Sequence, residues 1–357
     1  MIDYKLKQLI NQSATSQVII KYLKSIISWP NENLQQEIIS LIKSAYSKGC
    51  IFSQKWLYTF IKSVIHDVEQ SDVYLIDDLP LLLIEGIGKL VSDYRFNNTN
   101  LELAEDVGYT LYDLKALAYP VLIRVVKNHN QVGCRIWEAA LFLIEFFLSK
   151  NEILDKINIL ELGAGVGVTS LLISALKQYR PSQIYLSDNI NSVLENLDYN
   201  INLNNETARH ILSGDLSPCI TKSLYLDWVN MDELNIKCIQ SEIILAADCT
   251  YSADISFHLA KCLVYLLTDF KKGINCQNTT DIFKSYPYAL VACTLRNQET
   301  YEYFLNALYS FEAKVIDITD NSIEQIENSD IDFICYPSHI LGVENPRKLV
   351  RLLYINV

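Results

Sequence analysis

Ile157-Asn-Ile-Leu-Glu-Leu-Gly-Ala-Gly-Val-Gly167 is the stretch that decides the fold. The apolar run up to Leu162 reads as a buried strand, and Val168 to Gln178 reads as the helix that follows it. Glycines at 163, 165 and 167 occupy the junction, where bare backbone lets a ligand approach a helix N-terminus closely. The dinucleotide fingerprint GxGxxG needs a glycine at 168, where Val168 stands. The alternating form, with the acid Glu161 two residues ahead of Gly163, is complete. The other reading of the junction is a tight strand-to-helix turn that holds nothing.

Outward from this point, strands and helices alternate. The pattern predicts a strand at Gln183 to Ser187, a helix at Asn191 to Leu203, a strand at Lys222 to Asp227 and a strand at Glu242 to Ala247. It continues with a helix at Ile255 to Phe270, a strand at Tyr288 to Thr294, a helix at Glu299 to Ser310, and strands at Ala313 to Ile318 and Val350 to Ile355. A further helix, Ile136 to Leu148, precedes the series. Such alternation predicts an α/β fold, a doubly wound and mostly parallel sheet with helices on both faces. Ligands of such sheets lie outside the carboxyl ends of the strands where strand order reverses. Gly273 to Thr280 reads as an inserted surface loop.

Upstream the character changes. Ile19, Leu23, Ile26 and Ile27, then Trp56, Phe60, Ile61, Val64 and Ile65, recur at helical spacing, so residues 1–93 read as a helical domain. Residues 94–130, with the polar run Asn97-Asn-Thr-Asn100 and the apolar run Val121 to Val126, read as a β-hairpin connection to a domain at 131–357. Half of the 357 residues are hydrophobic and a fifth are charged, which is globular composition. The net charge of -12 argues against nucleic-acid binding through general phosphate neutralisation and favours a basic protein partner. Nine cysteines, at 50, 134, 219, 238, 249, 262, 276, 293 and 335, form no CxxC pair. They read as reduced thiols of a cytoplasmic or nuclear protein, with no metal site. The start has no signal-peptide pattern, and the apolar stretch Ala139 to Leu148 is too short for a membrane span.

The carboxyl ends of the predicted strands carry the candidate chemistry. Asp188 lies where a carboxylate accepts hydrogen bonds from ribose hydroxyls, or where it caps the following helix. Trp228 follows the third strand and Trp137 the entrance to the sheet; each reads equally as a wall for an aromatic ring or as core. Ala247-Asp-Cys-Thr-Tyr251 ends the fourth strand. There Asp248 could orient an incoming amine and Tyr251 could wall a channel, or the two could cap and pack. No residue identifies itself as a general base.

Taken together, Trp137-Glu-Ala-Ala140, Glu161-Leu-Gly-Ala-Gly165, Ser187-Asp188, Leu226-Asp-Trp228 and Asp248-Cys-Thr-Tyr251 resemble the seven-strand, Rossmann-like protein-lysine methyltransferases with a DxxY motif. The resemblance covers residues 130 to 355. It implies S-adenosyl-L-methionine as cofactor, held by Trp137, Glu161, Gly163, Ala164, Gly165, Asp188, Trp228 and Ala247, with Asp248 and Tyr251 at the substrate lysine. Within that group, Thr294-Leu-Arg-Asn-Gln-Glu-Thr300 and the helical N-terminal region, with Trp29-Pro30 and Ser53 to Lys62, are similar to the lysine methyltransferases of eukaryotic elongation factor 2. That likeness implies elongation factor 2 as the protein substrate, docked with the help of the helical domain. Two rival readings remain: a methyltransferase of the same fold acting on a small molecule, a nucleic acid or another protein, and a non-enzymatic binding module. Asp248 to Tyr251 lacks the Asn-Pro-Pro-Tyr form that marks methylation of base or glutamine amino groups.

Overall fold

A computed structural model describes residues 3–84, 107–126, 132–212, 219–230, 239–273, 281–336 and 345–357. The inserted loop expected at Gly273 to Thr280 and the polar run at 97–100 fall outside these residues, apart from Gly273. The chain divides into two compact units.

One unit is made of residues 1–114, 120–131 and 333–341. It contains helices α1 (Tyr4–Asn11), α2 (Ser16–Ser25), α3 (Glu32–Ser47), α4 (Gln54–Glu69) and α5 (Asp78–Ile84), with an antiparallel hairpin of β1 (Val107–Tyr112) and β2 (Val121–Val126). Side-chain caps set three of the helix starts: Asp3 accepts from the Leu6 amide, Asn31 from Leu34 and Ser53 from Trp56. The buried stripes Ile38, Ile42 and Ala45 of α3 and Phe60, Ile61, Val64 and Val68 of α4 recur at three and four residues, the spacing that gives each helix one apolar face. The hairpin belongs to this unit; Tyr109 donates its amide to the Ile51 carbonyl, and the Cys335 amide donates to Gln12 Oε1.

The other unit, residues 115–119, 132–332 and 342–357, is built on a seven-stranded sheet among the described residues. Its strands are β3 (Asn158–Leu162), β4 (Gln183–Asp188), β5 (Ile220–Tyr225), β6 (Ile243–Ala247), β7 (Tyr288–Thr294), β8 (Lys314–Asp317) and β9 (Val350–Asn356). The order β5-β4-β3-β6-β7-β9-β8 is parallel through β7, and β9 runs antiparallel to both of its neighbours. The helices are α6 (Glu138–Ser149), α7 (Val168–Ser174), α8 (Asn191–Ile211), α9 (Ala253–Gly273), α10 (Gln298–Ser310) and α11 (Thr319–Glu327). The central strands are buried on both faces, as a sheet covered by helices on each side requires, and every residue of β7 is buried.

Three elements differ from the sequence pattern in ways that bear on the site or on the helices beside it. β5 begins and ends two residues early, so Asp227 and Trp228 lie in the loop beyond it. Helix α7 stops at Ser174 because the next residues pair with a distant segment: Ala118 donates to Ala175 O and Lys177 to Ala116 O. Helix α8 runs on to Ile211, its buried face mixing Asn196, Asn200 and Asn204 with Val193, Leu197, Ile201 and Ala208. Strand order reverses at β3, which pairs with β4 on one side and β6 on the other. The carboxyl ends of these three strands therefore open a crevice at the switch point.

Candidate active site

The crevice holds a cavity of about 430 Å³, within the range of small-molecule and cofactor sites. All ten residues singled out in the sequence, Trp137, Glu161, Gly163, Ala164, Gly165, Asp188, Trp228, Ala247, Asp248 and Tyr251, line it.

The glycine loop forms its floor. Gly163, Gly165 and Gly167 have φ of 63°, 54° and 78°, a left-handed backbone that glycine adopts without steric cost. A Cβ on Gly163 would lie 2.6 Å from Cys249 Sγ and 3.3 Å from the Trp228 indole; one on Gly165 would lie 2.7 Å from the Gly133 carbonyl oxygen. The space above the loop is therefore backbone-lined and walled by an aromatic ring. Burial and the nearby Asp188 and Asp248 push the Cys249 thiol well up, so it stays protonated and donates to the Ala247 and Leu162 carbonyls.

Two carboxylates flank the loop. Glu161 is 3% exposed, and burial lifts its carboxyl to about 7 even though the Ser170 hydroxyl donates to it. Asp188 Oδ1 accepts the amides of Asn189 and Ile190, while Oδ2 has the Gly165 amide at 3.3 Å. The N-cap of α8 is Ile190, so Asp188 ties the turn before the helix to the glycine loop rather than capping the helix. Burial raises the Asp188 carboxyl, opposed by these three amides.

The far wall departs from the simplest reading of Asp248. Its φ is 55°, a conformation costing a non-glycine residue about 1–2 kcal/mol. Oδ1 accepts from the Thr294 amide at 2.8 Å and Arg296 Nη1 at 3.1 Å; Oδ2 accepts from Thr294 Oγ1 at 2.8 Å, Arg296 Nη2 at 3.3 Å and the Ala139 amide at 3.4 Å. Arg296 Nη2 also donates to Glu138 Oε2 at 2.7 Å, and its guanidinium carbon stands 5.2 Å from the Trp137 ring centroid. The Trp137 indole N–H donates to the Val132 carbonyl. Arg296 and Glu138 have no apolar periodicity or motif glycine to flag them. Both nevertheless stand inside segments that carry the resemblance, Glu138 in Trp137 to Ala140 and Arg296 in Thr294 to Thr300, and Arg296 lies two residues beyond the carboxyl end of β7. Tyr251 is 67% exposed at the mouth, beside Val132 and Ile190, which are also exposed.

Residues 119–306 match the family described as Lysine methyltransferase, more than half of the sequence. The chain belongs to that family. Membership makes it a lysine methyltransferase and makes S-adenosyl-L-methionine its cofactor. A putative uncharacterized protein of Dictyostelium discoideum is 26% identical over 339 residues, 88% of each chain. The mouse protein-lysine N-methyltransferase EEF2KMT is 30% identical over 183 residues, 51% of this chain and 50% of that one. The Saccharomyces cerevisiae protein-lysine N-methyltransferase EFM3 is 26% identical over 257 residues, 65% of this chain and 68% of that one. The match thus spans about half the length of the mouse relative. The cavity fits the family's cofactor: bare glycine backbone, a half-buried carboxylate at the end of β4 and two indoles face one space.

Proposed function

We propose that this lysine methyltransferase modifies a lysine of elongation factor 2, with the cofactor lying on the glycine loop and the lysine entering past Tyr251. The observation that carries this reading is the convergence of Gly163, Gly165, Asp188, Trp137, Trp228 and the Asp248 to Tyr251 segment on one cavity at the switch point. When bound, S-adenosyl-L-methionine would supply an electrophilic sulfonium methyl that passes to a neutral amine as the carbon–sulfur bond breaks, leaving the thioether S-adenosylhomocysteine, with the proton of the new ammonium lost to water. Asp188 would hold the ribose through its carboxylate, and Trp228 and Trp137 would wall the adenine and methionine ends. Backbone from Gly163 to Gly165 admits the cofactor where any side chain would collide with Cys249 or Gly133. The residues lining the cavity exclude water from the reacting end and fix the approach, and alignment of this kind is the main service an enzyme renders to a displacement of this sort. Tyr251, Val132 and Ile190 give the mouth an apolar rim against which a lysine stem would pack.

The choice of elongation factor 2 is supported by the segment Thr294 to Thr300 and by the helical N-terminal unit, to which we assign substrate docking. We place the enzyme in the cytoplasm with that substrate; the seven cysteines among the described residues are free thiols, and no helix there is long and apolar enough to cross a membrane. Methyl transfer from radiolabelled cofactor to purified elongation factor 2, beside a whole-cell protein extract, tests the reading. Label on elongation factor 2 supports it. Label on a different protein discards the substrate, and absence of label despite cofactor binding discards the protein as substrate class.

A further inference from the structure

We propose that Asp248 is a positioning residue, and that Arg296, held by Asp248 and Glu138 against Trp137, is the group through which it acts on the cofactor end of the cavity. The inference rests on the cofactor site proposed above and adds a residue and a division of labour to it. A carboxylate offers about four lone-pair positions. Asp248 has five donors within hydrogen-bond distance: two from Thr294, two from Arg296 and one from the Ala139 amide. No acceptor site is left to receive an amine or its proton. The side chain is 5% exposed, so water does not compete for it either.

Arg296 is placed differently. Its side chain is 45% exposed and lines the cavity. A guanidinium has five N–H donors in a rigid fork, and Asp248 and Glu138 engage three of them in the contacts above, fixing the plane of the group. That cation lies over the Trp137 ring, an attraction that strengthens where water is excluded. Trp137 is also tied to Val132 through its N–H, so a hydrogen bond and a cation both help to locate its ring. The five hydrogen bonds from Thr294, Arg296 and Ala139 supply a reason for tolerating the left-handed backbone at Asp248. Asp248 thus organises the wall, and Arg296 with Trp137 forms it.

A double-mutant cycle tests this. Wild type, Asp248→Ala, Arg296→Ala and the double variant are titrated with S-adenosyl-L-methionine by calorimetry and assayed for methyl transfer to elongation factor 2. Each single change is expected to weaken cofactor affinity and lower kcat/KM by about 10- to 100-fold, with the cofactor KM raised more than the protein KM. The double variant should be no worse than the poorer single, and Arg296→Lys should recover part of the loss because its ammonium still pairs with Glu138 and Asp248. Losses that multiply in the double variant, or an Asp248→Ala that loses kcat with cofactor affinity intact, would overturn the proposal. Where an alanine variant does not fold, Asp248→Asn and Arg296→Gln complete the same cycle. Failure of the wild type to bind the cofactor would instead refute the site reading itself, and failure to methylate elongation factor 2 leaves the calorimetric cycle decisive.

Discussion

Replacing Gly165 with alanine should damage the cofactor site more than the fold. At φ 54° a Cβ meets the following carbonyl, a cost of about 1–2 kcal/mol. The new methyl would also lie 2.7 Å from the Gly133 carbonyl oxygen, which is backbone and must shift by several tenths of an ångström. For a unit of this size each kcal/mol lowers Tm by about 2–4 °C, so a fall of about 2–8 °C is expected. The same shift pulls the Gly165 amide away from Asp188 Oδ2, from which it already stands at 3.3 Å. A hydrogen bond to a charged group contributes about 1.5–3 kcal/mol. Losing it together with the loop geometry corresponds to a drop in cofactor affinity of about 10- to 150-fold. Calorimetry with S-adenosyl-L-methionine and thermal unfolding of the same preparation read the two quantities. Wild-type affinity alongside the lowered Tm would refute the placement of the cofactor on this loop, and an unchanged Tm would refute the steric argument.

Two further outcomes follow from the titrating and exposed groups of the cavity. Glu161 ionises at about 7 in the folded protein against about 4.5 for a free side chain, so the fold binds its proton more tightly and loses stability as pH rises from 4.5 to 7. Glu161→Gln, which keeps an acceptor for Ser170, should melt higher than wild type at pH 8 by about 3 kcal/mol of stability and no higher at pH 5; an equal difference at both pH values would sink the argument. Tyr251→Ala should leave Tm within about 1–2 °C, since exposed positions contribute little to stability, yet raise the KM for the protein substrate about tenfold or more if the ring is a contact anchor. Unchanged KM would remove Tyr251 from the entrance.

The strand pattern was legible because burial on both faces of a parallel sheet favours nearly continuous apolar runs; β6 and β7 are such runs, and β3 is one interrupted by Glu161. The glycine loop to which we assign the cofactor was legible for a related reason: three alternating left-handed positions leave glycine as the residue without steric cost, and their spacing survives in one dimension. What stayed hidden depends on partners far along the chain. Nothing local to Ala175 and Lys177 announces that residues 116–118 will take their hydrogen bonds and end α7 early. Asparagines at 196, 200 and 204 sit on the buried face of α8, where the Asn200 amide group donates to the Val166 carbonyl behind the glycine loop. Past Leu203 the buried positions of that helix are Asn204 and Ala208, so a search for large apolar residues at helical spacing stops too soon. At the site, the contrast is sharpest at Asp248, whose type and position are visible in the sequence but whose donors come from Thr294 and Arg296, 46 and 48 residues away.

Helix α6 shows how such distant pairs place the site. It is apolar almost throughout yet buries two glutamates, Glu138 and Glu145, each met by an arginine from the later part of the chain. Arg347 engages Glu145 through Nε at 2.7 Å and Nη2 at 2.6 Å, a bidentate fork, while Arg296 engages Glu138 with a single nitrogen and spends its other contacts on Asp248. The two pairs fix α6 near both of its ends, and Trp137 is the N-cap residue of that helix. They should nevertheless separate by experiment. Glu145 is 1% exposed, and breaking a buried pair by removing one partner costs about 3–5 kcal/mol, or about 6–20 °C in Tm for a unit of this size. Arg347→Met is therefore expected to unfold early but, at a temperature where it is fully folded, to bind S-adenosyl-L-methionine with wild-type affinity. Arg296→Ala, at a half-exposed cation on the cavity wall, should lose less stability and far more affinity. If Arg347→Met weakened the cofactor as much as Arg296→Ala, α6 would be transmitting its position to Trp137 as a rigid body, and the local contact between Arg296 and the indole would lose its special standing.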